Sequence, residues 1–565
     1  MVSSRASSAD RSKRSDPSAQ GASIQGMSST RRADARAVAL FAALSLACAC
    51  SESGWRQPNV ILISLDTLRA DRLSCYGHDR ETSPRLDAFA SEGVLCEEAV
   101  STSSWTLPSH WSMLTGLPVS VHGVCDEQLW NRRPEEGELE LPSRGRFLGE
   151  LLKEAGYATA GFYSWIYLEE KFGLGPGFDT YERHGLFGWD HPTIKPRADA
   201  ARELEDRAAQ EAVGRALQAE HPELFDIGRP TASEVVDRSL EWLRAEVAGD
   251  NERPLFLFMH LFDAHDPYTP PAPYDGLFDP NYEGPIDGRE ITGEKSLVHK
   301  DMSERDLEHL LALYDGGISW IDSEVGRVLD ALDELGLVED TLVIITSDHG
   351  EEFFEHERKT HRKQLYRESV HVPLLMRWPR RLPEGVRISG PTGIIDVAPT
   401  VLSAAGHPRK PASPGVDLIR LAREGGSGEG TYVTELLLFE AGPVPTRRVG
   451  LFTPTRHYLF QGHKPGDPWT VQAFDLGEDP LQVGAPALLE LGSPEHGAAL
   501  SLLDEVRGEY RERRALAVPR SEVMEALDAS DRAQLDALGY TGGDAALPGD
   551  DGGRLCIDGC VWPGG

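Results

Sequence analysis

Cysteine is scarce in this sequence, and the apolar run near its N-terminus is short. Seven cysteines occur in 565 residues. Five of them follow residue 50, at Cys75, Cys96, Cys125, Cys556 and Cys560. An odd number without metal-ligand spacing gives no disulfide framework and no cysteine-based metal site. The apolar run at residues 37–49 is too short to span a bilayer.

Positive charge is also in short supply. The chain has 57 Lys and Arg residues against 91 Asp and Glu residues, which gives a formal net charge of -34 at pH 7. Such acidity argues against nucleic acid or an anionic membrane surface as a partner, because phosphate groups would be repelled. It does not exclude a small or polymeric anionic ester as substrate, provided that a bound metal ion draws the ester into a site.

Residues 1–50 have the pattern of an export leader. Three arginines within residues 31–36 precede the apolar run, and Met27 is a candidate start that leaves a leader of ordinary length. Cys48 or Cys50 ends the run, where a lipoprotein signal carries its lipid-modified cysteine. We therefore predict export to the periplasm or the cell surface, with or without a lipid anchor on one of these cysteines.

Apolar runs alternate along the chain with helical patterns. The runs, which we interpret as fully buried strands, cover residues 59–65, 157–162, 255–261 and 342–345. The intervening helical patterns cover residues 84–91, 146–155, 232–245 and 303–335. This alternation indicates an α/β fold with a doubly wound, mostly parallel sheet that helices flank on both faces. Ligands of such sheets bind at the carboxyl ends of the strands, where Asp66, Asp263 and Asp348 lie.

The chain is long enough for more than one domain with a sizeable core. We assign residues 57–410 to the doubly wound domain, with a polar helical insertion at 184–230. Short strands with turn signals predict a smaller antiparallel sheet within 411–500. Residues 501–541 have a helical pattern, and the glycine-rich tail at 542–565 is typical of disorder.

The stretch at residues 103–116 is the leading candidate for a functional site. Pro108 is placed to begin a helix and Gly116 to end it. Thr106 then lies just ahead of a helix N-terminus, where free N–H groups and the positive end of the helix dipole favour an anion. A hydroxyl held there is a candidate nucleophile for a phosphate or sulfate ester, if something lowers its pKa. The alternative is a threonine that caps an ordinary helix.

Two potential metal ligands, Asp348 and His349, directly follow a predicted strand. Asp66 offers a third ligand, and an ionised Thr106 a fourth. Two carboxylates, an imidazole and an oxygen nucleophile suit Zn²⁺ or Mn²⁺ better than Ca²⁺, which prefers oxygen ligands only. Ca²⁺ and Mg²⁺ remain alternatives, and one or two ions fit the pattern. Taken singly, each residue also fits a turn or a helix cap.

These motifs resemble those of the sulfatase family. The family signature is Cys or Ser, any residue, Pro, Ser and Arg, closed by Gly six residues later. Here it is Thr106-x-Pro108-Ser109-His110, closed by Leu114-Thr115-Gly116. Further segments that look like parts of sulfatase-like proteins lie at 66–71, 263–268, 348–352, 395–400 and 475–480. The resemblance implies the fold of the alkaline phosphatase superfamily, with the nucleophile at a helix start.

Several positions depart from formylglycine-dependent sulfatases. Thr106 replaces the Cys or Ser that those enzymes oxidise, and His110 replaces the signature Arg. Asp66 is followed by Thr67 instead of a second acidic residue, and residues 161–165 lack the Lys and His that bind sulfate. Threonine cannot become formylglycine, because its methyl group would leave a ketone. The pattern instead resembles a threonine-nucleophile branch that includes phosphodiesterases, phosphoethanolamine transferases and lipoteichoic acid synthases.

The same branch implies roles for two further histidines. His361 follows Asp348 at the spacing of phosphoethanolamine transferases, and His265 falls where the branch keeps a histidine facing the transferred group. We assign both to the substrate phosphoryl group or leaving oxygen, or to a second metal ion that would also use Asp263. Weaker candidates, which also fit ordinary solvated charge, are Arg69, His78, His122, His356 and Lys363.

We therefore predict an exported, metal-dependent hydrolase of phosphate or sulfate esters, with phosphate monoesters and diesters favoured. Thr106 would attack the ester and form a covalent intermediate that water resolves. Three alternatives stand beside this prediction: a sulfuric ester hydrolase that uses unmodified Thr106, a phospho-group transferase, and a non-catalytic surface binding protein that kept the fold.

Overall fold

The structure is a computed structural model that describes residues 57–524 apart from short gaps. The gaps are residues 125–138, 142–143, 186–192, 203–206, 223–228, 250–251, 293–295, 409–411, 439–445, 463–467 and 521. The predicted leader at 1–50 and the predicted tail at 542–565 lie outside the described residues. Within the described part of the chain, no helix is both long enough and apolar enough to cross a membrane.

Strands and helices alternate through most of the described chain. The strands are β1 (Asn59–Leu65), β2 (Val94–Val100), β3 (Leu139–Leu141), β4 (Ala158–Tyr163), β5 (Thr180–Arg183), β6 (Leu255–Leu261), β7 (Thr341–Ser347), β8 (Glu352–Phe353), β9 (Lys359–Thr360), β10 (Leu374–Arg377), β11 (Val386–Gly393), β12 (Tyr432–Leu438), β13 (Thr446–Phe452), β14 (Arg456–Gly462), β15 (Thr470–Asp475), β16 (Ala487–Leu488) and β17 (Glu522–Met524). The α-helices are α1 (Pro84–Ser91), α2 (Thr106–Thr115), α3 (Val119–His122), α4 (Leu148–Glu154), α5 (Lys195–Arg202), α6 (Arg207–Glu220), α7 (Ala232–Ala248), α8 (Glu304–Glu334), α9 (Arg367–Val370), α10 (Val397–Ala404), α11 (Leu418–Glu424) and α12 (Pro494–Leu516).

Eight strands form the main sheet, in the spatial order β11-β2-β10-β7-β1-β6-β4-β5. β1 pairs in parallel with β6 and β7, β4 with β5 and β6, and β2 with β11. In this sheet β10 runs antiparallel to both of its neighbours, β2 and β7. The predicted α/β fold with a mostly parallel, doubly wound sheet is confirmed.

Alternate residues of the central strands face two separate hydrophobic cores. Val60 and Leu62 of β1 belong to the core that contains Trp111 of α2. Ile61 and Ile63 belong to the opposite core, which α7 and α8 cover. Successive side chains of a strand point to opposite faces. Helices on both faces therefore require strands that are apolar throughout, which is the pattern in the sequence.

A second sheet confirms the predicted small antiparallel sheet toward the C-terminus. Its five strands follow the order β12-β13-β14-β15-β16, each antiparallel to the next. Helix α12 packs on this sheet, where Leu503, Val506 and Tyr510 share a core with Val449 and Leu451 of β13.

Residues 522–524 differ from the helical prediction for 501–541. They form β17, which pairs antiparallel with β3. Within the predicted insertion at 184–230, the described residues include α5 and α6. The domain boundaries themselves stay predictions.

The carboxyl ends of β1, β6 and β7 coincide. Leu65 of β1 pairs with Leu261 of β6 and with Ser347 of β7. The backbone N–H of Asp66 donates to the carbonyl of Leu261 at 2.9 Å. Because the three strands end in register, the residues that follow them, Asp66 and Asp348 among them, emerge at one edge of the sheet.

Asp322 of α8 should contribute strongly to stability. Its buried carboxylate accepts the backbone N–H groups of Arg85 at 3.0 Å and Leu86 at 2.8 Å, in the first turn of α1. Asp322→Ala leaves both donors without their acceptor, so we expect a loss of ~1–3 kcal/mol in the free energy of unfolding, measured by urea denaturation.

The matched control is Asp330→Ala on the same helix, which removes an exposed ion pair with Arg85. Exposed pairs contribute little, so its effect should stay below ~1 kcal/mol. Equal losses in the two variants would contradict the assignment.

Candidate functional site

Helix α2 begins at the candidate nucleophile. Its first residue is Thr106, preceded by Trp105 as N-cap, and its last is Thr115, followed by Gly116 as C-cap with a left-handed φ of 70°. The predicted start at Pro108 is two residues too late, because proline is tolerated throughout the first turn and here occupies the third position. Thr106 is 1% exposed and lies in the first turn, where N–H groups have no partner within the helix.

The four side chains predicted to hold a metal lie together at the ends of β1 and β7. Nε2 of His349 lies 3.4 Å from Oγ1 of Thr106, 3.6 Å from Oδ1 of Asp66 and 3.4 Å from Oδ2 of Asp348. One ligand atom from each of Asp66, Asp348 and His349 lies within 4.8 Å of the others. We call these four residues the Thr106 site.

The Thr106 site fits a divalent cation. Oδ1 of Asp66 and Oδ2 of Asp348 are buried and accept no hydrogen bond. Two such carboxylate oxygens facing each other away from water are costly unless a cation lies between them. The imidazole N–H at Nδ1 of His349 donates to the carbonyl of Gly350 at 2.9 Å, which leaves the lone pair of Nε2 for a metal.

The pKa shifts of the ligand side chains also favour a bound cation at the Thr106 site. Burial raises the pKa of Asp66 to about 7, and the charge of nearby Asp348 adds to the increase. Burial also lowers the pKa of His349, so its imidazole is neutral and able to act as a ligand. The protein alone thus leaves negative charge poorly compensated at this point.

A second cluster, the His361 site, adjoins the first. His265, Asp266 and His361 each offer a ligand atom within 4.8 Å of the others, and all three are buried. The ring of His361 lies 4.5 Å from that of His349 and 4.8 Å from that of His265, measured between centroids. Both predicted histidines are therefore brought to the Thr106 site. The sequence prediction missed Asp266, although it lies in the 263–268 segment that carried the resemblance.

Asp263, expected to help bind a second ion, lies elsewhere. Its carboxylate accepts the backbone N–H and hydroxyl of Thr231 at 2.9 and 2.8 Å, the N–H of Ala232 at 2.9 Å and the indole N–H of Trp320 at 2.7 Å. These donors lie at the start of α7 and on α8. The prediction is wrong because the free N–H groups of a helix N-terminus bind this carboxylate.

Two buried histidines that the sequence prediction left without a role lie beside the carboxylates. Nε2 of His260 is 3.0 Å from Oδ2 of Asp66. Nε2 of His110 is 2.9 Å from Oγ of Ser64, and its Nδ1 is 2.8 Å from the carbonyl of Thr106. Burial lowers the pKa of both histidines to about 4, so both are neutral near pH 7. The available signal was strand register, since His260 pairs with Ser64 across β6 and β1.

Each of the weaker candidates has a partner of its own within the protein. Arg69 binds Asp71 and Glu355, His78 lies near Asp315, His122 bonds to Ser112, His356 to Glu368, and Lys363 to Lys359 and Thr360.

Backbone strain is concentrated around the two sites. The described non-glycine residues with positive φ are Thr67, Phe354, Glu357, Thr360, Arg362 and Gln482. Thr67 directly follows Asp66, and the others except Gln482 lie in the loop that carries His361. Such conformations persist only where the surrounding structure fixes them, and they occur often at functional sites.

Comparison with known proteins identifies the family. The sulfatase family model matches residues 58–407. The chain belongs to the sulfatase family. An arylsulfatase of Clostridium perfringens is 27% identical over 386 residues, which cover 62% of this chain and 75% of that relative. This sulfatase-family protein is therefore an ester hydrolase of a metal-dependent family.

Two solved structures share the fold of this sulfatase-family chain. The phosphonate monoester hydrolase of Agrobacterium radiobacter has a TM-score of 0.61 at 22% identity, covering 82% of this chain and 99% of that one. A structure in complex with its substrate D-glucosamine-2-N,6-O-disulfate has a TM-score of 0.59 at 18% identity, covering 81% and 99%.

Asp263→Ala should weaken folding without removing metal. The substitution leaves the donors of Thr231 and Trp320 without their acceptor, so we expect a loss of ~2–4 kcal/mol in urea denaturation. Metal content, measured by atomic spectroscopy, should stay at the wild-type level. Asp66→Ala is the contrasting variant and should lose metal. If Asp263→Ala lost metal while remaining folded, the placement of Asp263 would be refuted.

Metal binding should weaken in acid. Below about pH 7 the metal-free protein holds a proton on Asp66, and that proton must leave before a cation binds, so the dissociation constant should rise by up to ~10-fold per pH unit. Calorimetric titration of EDTA-treated protein with Zn²⁺, in buffers of different ionisation enthalpy, would count the protons released. Asp66→Asn removes both the titrating group and a charged ligand, so its affinity should be much lower and any residual binding should depend less on pH. Equal wild-type affinities at about pH 5.5 and about pH 7.5 would contradict this account.

Proposed function

We propose that this enzyme hydrolyses phosphate monoesters or diesters with the unmodified hydroxyl of Thr106 as nucleophile. The observation that carries the proposal is the 3.4 Å contact between Oγ1 of Thr106 and Nε2 of His349, beside two unpaired carboxylate oxygens. A hydroxyl in the first turn of a helix and next to a cation site has surroundings that favour its ionised form.

A divalent cation in the Thr106 site, with Zn²⁺ or Mn²⁺ favoured, would supply the positive charge that lowers the pKa of the hydroxyl. Asp66, Asp348 and His349 would hold it. The nearly complete burial of these side chains excludes competing water and strengthens their electrostatic effect.

The reaction would proceed in two displacements. Oγ1 of Thr106 loses its proton and attacks phosphorus, the bond from phosphorus to the leaving oxygen breaks, and the leaving alcohol takes up a proton. Water then attacks phosphorus of the phospho-threonine and the bond to Oγ1 breaks, which restores the hydroxyl and releases phosphate from a monoester or a phosphate monoester from a diester. We propose that His265 and His361 stabilise charge on the transferred group or protonate the leaving oxygen. The three donors of the His361 site also fit a second ion.

Sulfate ester hydrolysis through the same threonine is the second candidate. The similarity to an arylsulfatase favours it. Two features argue against it. Position 106 has no Cys or Ser that could be oxidised, and neutral His110 replaces the arginine of the sulfatase signature.

Thr106→Ala should abolish turnover, with a loss of ~10³-fold or more, whereas Thr106→Ser should keep measurable activity. The assay uses metal-loaded protein with an aryl phosphate, an aryl phosphodiester, an aryl phosphonate and an aryl sulfate. Acid-quenched wild-type protein should carry the transferred group on the peptide that contains Thr106, as measured by mass spectrometry.

Metal content of Thr106→Ala is the control, because three of the four proposed ligands remain. Undiminished turnover by Thr106→Ala would refute the nucleophile. A rate with aryl sulfate far above that with every phosphorus ester would establish the second candidate instead.

A further inference from the structure

His260 lies in the main sheet directly beside one of the proposed metal ligands. It belongs to β6, where strand register pairs it with Ser64 of β1, two residues before Asp66. Nε2 of His260 is 3.0 Å from Oδ2 of Asp66, and both side chains are fully buried. The backbone N–H of Asp66 donates to the carbonyl of Leu261 on the same strand. Strand β6 therefore holds both the backbone and the side chain of Asp66.

The surroundings of the two ring nitrogens of His260 decide which of them carries the proton. Nδ1 is buried and has no hydrogen-bond partner. A proton on Nδ1 would be a buried donor without an acceptor, and Nε2 would then turn a lone pair toward a carboxylate oxygen. Because both arrangements are unfavourable, we place the proton of the neutral ring on Nε2, which donates to Oδ2 of Asp66.

The two carboxylate oxygens of Asp66 consequently have different surroundings. Oδ2 accepts from His260, whereas Oδ1 accepts no hydrogen bond and lies 3.6 Å from Nε2 of His349. The hydrogen bond to Oδ2 fixes the plane of the whole carboxylate, because rotation about the bond between Cβ and Cγ would break it. In the described part of the chain, no other group donates a hydrogen bond to this carboxylate.

We propose that His260 is a positioning residue, which holds the carboxylate of Asp66 in the orientation that binds the cation of the Thr106 site. The inference rests on the proposed function, since it needs a cation at that site. A hydrogen-bond donor to a metal-binding carboxylate orients the ligand and tunes its affinity, and its loss typically weakens metal binding ~10–100-fold. His260 would thus act on the metal through Asp66 and not as a ligand itself.

Three substitutions of His260 test this proposal through the affinity for Zn²⁺. His260→Gln keeps an amide N–H near the position of Nε2, whereas the shorter amide of His260→Asn corresponds to Nδ1 and does not reach Asp66. His260→Phe fills the space of the ring without a donor. We expect the dissociation constant of EDTA-treated protein for Zn²⁺, measured by calorimetric titration, to rise ~10–100-fold in His260→Phe and His260→Asn. His260→Gln should recover most of the wild-type affinity.

His457→Phe is the matched control. His457 of β14 is equally buried, its Nδ1 lies 2.6 Å from the side-chain amide nitrogen of Gln482, and its Nε2 has no hydrogen-bond partner. Both phenylalanine variants lose a buried hydrogen bond, so urea denaturation should show lower stability for both. Only His260→Phe should lose Zn²⁺ affinity, and His457→Phe should stay within about 2-fold of wild type.

Equal losses of affinity in the two phenylalanine variants would overturn the inference, because general loosening of the fold would then explain them. Equal affinities of His260→Gln and His260→Asn would also overturn it, since the donor to Asp66 would then have no effect. This second comparison decides alone if His260→Phe does not fold.

The affinity for Zn²⁺ is measured without an ester, so failure of the proposed function can be told apart from failure of this inference. Wild-type protein that binds Zn²⁺ but turns over no ester would refute hydrolysis at Thr106, and the comparison of the His260 variants would still stand. Wild-type protein that binds neither Zn²⁺ nor Mn²⁺ would overturn the inference, because there would be no cation to position.

Discussion

Two carboxylates held side by side out of water set the constraint that the rest of the site has to meet. Asp66 and Asp348 follow neighbouring strands that are hydrogen-bonded along their whole length and end in register. Neither carboxylate can move away from the other without disrupting the centre of the main sheet. Each keeps one oxygen without a hydrogen bond, and burial raises the pKa of Asp66 to about 7. A cation bound by both carboxylates would relieve this cost, and Thr106 Oγ1 lies 3.4 Å from Nε2 of His349, the third proposed ligand.

The loop at residues 354–362, which carries His361, also lies at this edge of the sheet. Thr360 and Arg362, on either side of His361, both have positive φ, so the side chain of His361 is directed by a strained backbone that the surrounding structure must hold in place. The hydrogen bond from Arg362 to Ser104 joins this loop to the start of α2. The proposed nucleophile, the proposed metal ligands and the two histidines therefore depend on one junction, where the strand ends, the start of α2 and this loop meet.

Most of this junction could be located from the sequence, because a strand that is buried on both faces is recognisable as a continuous run of apolar residues. β1 and β6 were predicted to the residue for that reason, and Asp66 with them. β2 was missed because Glu97 and Glu98 interrupt its apolar pattern. Two interactions that depend on strand register or on competing donors were missed. His260 lies beside Asp66 because β6 pairs with β1, and N–H groups at the start of helix α7 bind the carboxylate of Asp263.

His110 stands where the sulfatase signature has an arginine, so the positive charge that such an arginine would bring to the substrate is missing at this position. His110 is neutral near pH 7, because burial lowers its pKa to about 4, and it is held between Ser64 and the carbonyl of Thr106. It can therefore orient the first turn of α2, but it cannot balance an anionic ester as an arginine would. The positive charge beside an anionic ester would therefore have to come from elsewhere, and a cation in the Thr106 site is the proposed source.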